Sequence, residues 1–534
     1  MRTRQLLGVS ALLAAVIQPA CGDSSEPEKE KEREVGEVCD PDLENGGCSE
    51  IAVCSSLLIA SDAETDGAAG APSEGEAEHR CLLARGSECE PAEDLCSPNL
   101  TCASLAAGGH RCFEPVMLRG VVVDSADSDP VPGAQVMAID AEGVAVTDVA
   151  TSSETGTYEL ELPVEREEDG SPVDESYRLR AAAQDFQPFP AGVRVALPID
   201  ASSAVDDEGV LAIESALTKV SLIGLPAGAR TTVSGSVEGL SGSSHPVGGV
   251  LVVAASGDEA FSAVTDRSGR FTIFNVTQGS YEVRGYAVDL PLGTASVSVG
   301  AEAVEGVDLT ELDEGTTTVT GNVQIVNAPG GSLTSVILVV EDTFNETAAT
   351  GEVPRGLRAP RSGAPAVSGD FSIAGVPAGD YVVLAAYEND GLVRDPDTNI
   401  GGTEFVRLSI TAGENAEMAL PESFKVTQAL SVISPGAEQA EAVDGAPVLR
   451  WADDSSESWY EVRVFDALGN EVWSVLDLPG VSGQDEVSLD YEGPLEPGMY
   501  YQFRVVSWRQ PGGGEASPIA TTEDLRGVFF VPAE

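Results

Sequence analysis

Residues 268–283 read SGRFTIFNVTQGSYEV, and residues 368–383 read SGDFSIAGVPAGDYVV. The two share the frame S-G-x-F-x-I-x-x-V-x-x-G-x-Y-x-V. A chain that writes one frame twice builds one small unit more than once. The flanking residues extend the repeat. Residues 231–254 (TTVSGSVEGLSGSSHPVGGVLVVA) and 316–340 (TTTVTGNVQIVNAPGGSLTSVILVV) lead into the two copies. A third copy begins MLRGVVVDSADSDPVPGAQVMAI (117–139) and continues TGTYELELP (155–163). Each copy runs as a strand of V-x-G-x-V type, a Gly/Pro turn, a Val-rich strand, a further turn, then G-x-[FY]-x-[IL].

The alternation within each copy has period two: Phe271 and Ile273, Tyr281 and Val283, then Phe371 and Ile373, Tyr381 and Val383. Period two with one apolar face predicts half-buried strands. Gly279 and Gly379 precede the aromatic strand, where a tight turn with positive φ is expected. Further alternating runs close the two copies, TASVSVGAEAVEGVDL (294–309) and EFVRLSITAGENAEMAL (404–420). Short strands separated by turn signals predict β-sandwiches. With 534 residues the chain is too long for one core, so several domains are expected.

These motifs resemble the carboxypeptidase regulatory-like family, whose fold is a transthyretin-like sandwich. The resemblance covers about 115–423 and implies three consecutive sandwiches, 115–230, 231–315 and 316–423. In that family the domain is an appendage without catalytic residues, so no peptidase activity is implied. Related prealbumin-like stalk domains of pili carry Lys–Asn isopeptide cross-links. Residues 231–423 contain no Lys, and Lys219 alone lies near the end of the first sandwich, so the second and third cannot be stapled that way.

The last segment, 424–534, carries PVLRWADDSSESWYEVRVF (447–465) and LEPGMYYQFRVVSW (495–508). It resembles a fibronectin type III-like sandwich, with Trp451 as core tryptophan and Tyr501 as corner tyrosine in the frame L-x-P-G-x-x-Y. Strand parity then buries Tyr501, Phe503 and Val505 and exposes Tyr500, Gln502 and Arg504. The resulting fold class is all-β: three transthyretin-like sandwiches and one fibronectin III-like sandwich after a disulfide-rich N-terminal region.

The N-terminus supplies an address. Arg2 and Arg4 precede the apolar run from Leu6 to Ile17, which has the length of a secretory signal rather than a membrane span. Gln18-Pro19-Ala20-Cys21 resembles a bacterial lipobox, which implies lipidation of Cys21 and places residues 1–21 in the signal. The segment 22–35 (GDSSEPEKEKEREV) reads as a charged tether. The expectation is an exported chain, lipid-anchored in the outer membrane or on the surface of a Gram-negative bacterium.

Nine cysteines leave Cys21 alone beside two sets of four. Within 36–114 these are Cys39, Cys48, Cys54 and Cys81, then Cys89, Cys96, Cys102 and Cys112, both sets ending in H-R-C. An oxidising compartment favours disulfides. Pairing within a set leaves three connectivities open for each. The pattern resembles small extracellular modules of Dickkopf or EGF type. His79 and His110 beside cysteines raise zinc, but C-x2-C knuckles are missing.

Net charge is −59 with an isoelectric point near 4.1, which argues against nucleic acid and bare anionic membrane surfaces as partners. The chain has three His, and no H-E-x-x-H, G-x-S-x-G or P-loop occurs, so no catalytic constellation is expected. No cofactor is expected beyond calcium, for which Asp124, Asp127 and Asp129 in DSADSD offer hard oxygen ligands, with Asp395 and Asp397 as a second set. These features predict a non-enzymatic structural or protein-interaction stalk. The alternative is a carbohydrate-binding surface protein using exposed aromatics, with Trp459, Trp473, Trp508 and Tyr387 as the residues to place. Short joins near 230, 315 and 423 predict an elongated, semi-rigid rod.

Overall fold

The computed structural model describes residues 35–533, apart from 40–47, 59–76, 191–195, 327–332, 347–350, 362–365, 387–404, 412–416 and shorter stretches between them. Among the described residues there is no α-helix, and the chain is a series of two-sheet sandwiches. Among the described residues, no helix is long and apolar enough to cross a membrane.

The second and third sandwiches repeat one topology. In the second, Arg230–Glu238 lies between Arg270–Thr277 (antiparallel) and Val304–Thr310 (parallel). In the third, Thr317–Val326 lies between Asp370–Val376 (antiparallel) and Glu417–Ala419 (parallel). Even the register repeats: Val233 opposes Ile273 and Gly235 opposes Phe271, while Val319 opposes Ile373 and Gly321 opposes Phe371. The facing sheets run Glu259–Val264, Leu251–Ser256, Gly279–Tyr286, Ala295–Val299, and Arg358–Ala359, Ser335–Val340, Gly379–Ala386, Val406–Ile410. Phe424–Thr427, read from sequence as the start of the last domain, pairs in parallel with Thr317–Val326.

The repeated glycine of V-x-G-x-V has a packing cause. A Cβ on Gly235 would lie 1.8 Å from the Val307 carbonyl oxygen, and one on Gly120 would lie 2.0 Å from that of Thr218. Only glycine lets the neighbouring backbone approach this closely. Gly279, by contrast, is not among the positive-φ residues. It opens the strand Gly279–Tyr286 rather than forming the expected left-handed turn, which Gly269 adopts instead at φ +85°.

The period-two residues Phe271, Ile273, Tyr281, Val283, Phe371, Ile373, Tyr381 and Val383 are all buried. The strands of the facing sheets are less half-buried than the alternation predicts. Ser335–Val340 is buried at every position because its second face is also covered. There Ile337, Val339, Val382 and Leu384 pack under Phe344, Val353 and Phe405. The outer face of Leu251–Ser256 likewise places Leu251 and Val253, with Tyr286, in the core of the third sandwich. Each such aliphatic side chain contributes roughly 1.5–3 kcal/mol when fully buried. The Tyr286 and Tyr381 rings meet edge to face across this joint at 6.0 Å.

The first sandwich packs Ile199–Asp200, Ser176–Ala182, Gln135–Ile139 and Ala150–Thr151 against a sheet centred on Val116–Asp124. The last domain packs Val432–Ser434, Val448–Ala452 and Glu486–Asp490 against a sheet containing Tyr500–Arg509. Trp451 is fully buried, and the Tyr501 hydroxyl accepts the Glu496 N–H at 2.8 Å. The outward positions are less open than parity predicts: Tyr500 and Arg504 are half-buried, and Gln502 fails outright. Gln502, expected outside, is 3% exposed, because the Arg526 carbonyl accepts its side-chain amide at 3.0 Å.

Candidate functional site

The cysteines form four disulfides: Cys39–Cys54, Cys48–Cys81, Cys89–Cys102 and Cys96–Cys112. Each set pairs first with third and second with fourth, so the duplication extends to connectivity. The sulfur atoms clustered in each set are spent on these bonds, which leaves no thiolate set for zinc. Cys21 lies outside the described residues.

The acidic loop does not converge on an ion. The Asp124 carboxylate accepts the Ala126 N–H at 2.8 Å, and that of Asp127 accepts the Asp129 N–H at 2.9 Å. These are local turn bonds made by exposed side chains. Among the described residues, Asp124, Asp127 and Asp129 form no cluster with metal-ligand spacing. Asp395, Asp397 and Tyr387 lie outside the described residues.

Of the tryptophans, Trp473 turns inward and packs edge to face on buried Tyr491 at 5.2 Å. Trp459 and Trp508 are direct cross-strand partners on the opposite face, half-buried, with parallel rings 6.0 Å apart. Tyr500 stacks on Phe530 at 4.7 Å toward the other end of the same strand. The four rings thus form two separate pairs rather than one continuous strip.

The joints between sandwiches carry buried and half-buried polar contacts that no sequence pattern marked. Asn275 is buried at positive φ, and the Ala183 and Phe186 carbonyls accept its amide at 3.0 and 2.8 Å. Glu352 of the third sandwich meets Arg180 of the first at 3.3 Å and accepts the Ser262 hydroxyl of the second at 3.4 Å. Three residues on, buried Arg355 donates to the Pro246 carbonyl at 2.9 Å. Burial lowers the pKa of its guanidinium, and Asp140 of the first sandwich opposes that shift. A contact from first to third sandwich is incompatible with the expected end-to-end rod for these three. The sign available in the sequence was the apolar outer face of LVVAAS, which a lone sandwich would leave wet.

Beside the joint of the second and third sandwiches lies a cleft of about 620 Å³. It is lined by Glu282, Arg284, Ser296 and Ser298 of the second sandwich and by Asp342 and Asp380 of the third. Arg284 donates to Glu282 at 2.8 Å. Partial burial raises the Asp342 pKa above the ordinary carboxylate value; Arg284 opposes this, and Asp380 and Glu282 reinforce it.

No known protein family matches the chain, and no curated protein does. The regulatory-like and fibronectin-like resemblances therefore stand on the motifs quoted above. Among solved structures, the Bacillus anthracis TIE protein aligns at 12% identity over 76% of this chain and 68% of its own, with a TM-score of 0.13. Two B repeat units of the collagen-binding protein of Staphylococcus aureus align at 11% identity over 76% and 99%, with a TM-score of 0.17. A DUF3823 family protein from Bacteroides ovatus aligns at 11% identity over 40% and 98%, with a TM-score of 0.18. Scores this low carry no inference about partners or activity; the all-β sandwich fold rests on the strands themselves.

Proposed function

We propose that the chain is a non-enzymatic, exported scaffold that holds an interaction surface away from the membrane. In this reading Cys21 carries the lipid, residues 22–35 are the tether, and the disulfide modules lead to a block of three sandwiches. The observation that carries it is the three-way joint at Glu352, where side chains from all three sandwiches meet. Such a joint fixes the relative placement of surfaces, which a display scaffold requires and a string of independent beads lacks.

A second reading, carbohydrate binding, is favoured by the half-buried Trp459–Trp508 pair on an outer sheet face. The test is a pull-down of the soluble chain with insoluble polysaccharides and peptidoglycan, in calcium and in chelator. Saturable binding weakened by Trp459→Ala would establish the second reading. Absence of glycan binding, with capture of protein partners from the cell envelope, is the result expected for the scaffold. Anchoring is tested separately: Cys21→Ala is expected to move the chain from the membrane to the soluble fraction.

A further inference from the structure

Edge strands expose unpaired backbone N–H and C=O groups, and proteins usually guard them with charge, proline, bulges or cover. Three edges here are guarded. Val406–Ile410 carries Arg407, held by Glu341 and Glu346. Glu471–Pro479 has two register shifts and ends in proline. Glu259–Val264 sits against the third sandwich through Ser262 and Glu352.

Ala295–Val299 (ASVSV) is different. It pairs with Gly279–Tyr286 without a register shift, and among the described residues no strand pairs its other side. It carries no charge and no proline, and Ser296 and Ser298 are exposed. The strand also borders the acidic cleft: Ser296, Val297 and Ser298 line it together with Asp342 and Asp380. Three carboxylates, Glu282, Asp342 and Asp380, face a single cation there, Arg284.

We propose that this edge is a docking site for an extended, basic segment of a partner protein, which adds as a further strand and seats a Lys or Arg beside Asp342 and Asp380. Main-chain bonding to Ala295–Val299 supplies affinity, and the cleft selects the basic side chain. A cation there relieves the mutual repulsion of the carboxylates. A second copy of this chain is the wrong occupant, since two bodies of net charge −59 repel and would bring two acidic clefts together. The proposal rests on the scaffold reading and names the partner class of that surface.

The test uses the full chain and three capped decapeptides. One alternates valine and threonine around two central arginines; the second replaces the arginines with glutamates; the third keeps the arginines but has proline at alternate positions. Binding is read by fluorescence polarisation, and backbone protection by hydrogen exchange. The arginine peptide is expected to bind and to slow exchange in Ala295–Val299, with the other two at least about tenfold weaker. Asp380→Lys, which changes an exposed side chain and leaves the edge intact, is expected to weaken binding about tenfold. Ser298→Pro should abolish binding. Equal binding of the arginine and glutamate peptides, no binding of either, or protection elsewhere would overturn the proposal. So would a dimer in sedimentation that Ser298→Pro dissolves. Failure of the peptide with the three-sandwich block still rigid would refute this docking site and leave the scaffold reading in place.

Discussion

Asp185 and Asn275 both lie at positive φ, and they meet across the joint between the first and second sandwiches: the Asp185 N–H donates to Asn275 Oδ1 at 2.6 Å. With its amide donating to two carbonyls of the first sandwich, the Asn275 side chain satisfies three backbone groups at once. Asn275→Gly keeps the backbone conformation accessible and removes all three bonds. It is expected to destabilise the joint by roughly 2–4 kcal/mol, the cost of leaving buried polar groups unpaired. Chemical unfolding and hydrogen exchange at residues 183–186 would measure this.

Glu311 is 5% exposed, and its carboxylate accepts the Leu240 N–H and meets His245 Nδ1, both at 2.8 Å. Burial pushes its pKa up, but the hydrogen bonds from His245, Leu240 and Ser243 outweigh burial and hold it below the ordinary value. A depressed folded-state pKa contributes stability that is present above the unfolded value, about 4.3. That stability is lost as pH falls through the lower folded value. Acid unfolding of the wild type should therefore show a component that Glu311→Gln removes. An identical acid limb in the variant would contradict this.

Arg166 is 1% exposed where the second disulfide module meets the first sandwich. One nitrogen donates to the Glu114 carbonyl at 2.8 Å, while Nε and Nη1 have no hydrogen-bond partner. Burial lowers its pKa, although Glu114 opposes this. A buried cation with unmet donors contributes little net stability. Arg166→Met is expected to lie within about 1 kcal/mol of the wild type, or above it. Arg166→Ala, which opens a cavity, is expected to cost about 2 kcal/mol or more. Thermal unfolding of the pair distinguishes packing from charge.

The disulfides make a prediction about locality. Replacing Cys96 and Cys112 together by serine should cost the second module roughly 2–4 kcal/mol. The sandwiches, which own their cores, should keep their unfolding transition. Peptide mapping should return Cys39–Cys54, Cys48–Cys81, Cys89–Cys102 and Cys96–Cys112.

Much of the fold was legible because period two is a local signal. Phe271, Ile273, Tyr281 and Val283, and their counterparts one hundred residues on, declare the inward face wherever the strand sits. Gln502 broke the parity because its burial depends on the Arg526 carbonyl, which lies in a distant loop. Gly279 was misread because a glycine before an aromatic strand serves a turn or a strand start equally well. The joints were the least legible part. Glu352 and Arg180 are ordinary surface types in sequence, and only the packing of three sandwiches brings them together. The acidic cleft was hidden for a different reason: among 88 acidic residues, three that converge carry no sequence signal.

The claim that the three sandwiches form one block is tested most directly by a distance across it. Nitroxide labels on ketone-bearing residues replacing exposed Glu154 in the first sandwich and Glu417 in the third avoid the native cysteines. Pulsed dipolar spectroscopy should then give one narrow distance distribution. It should broaden when Arg180→Glu is combined with Asn275→Gly. A broad distribution in the wild type, unchanged by those substitutions, would show independent beads and contradict the account.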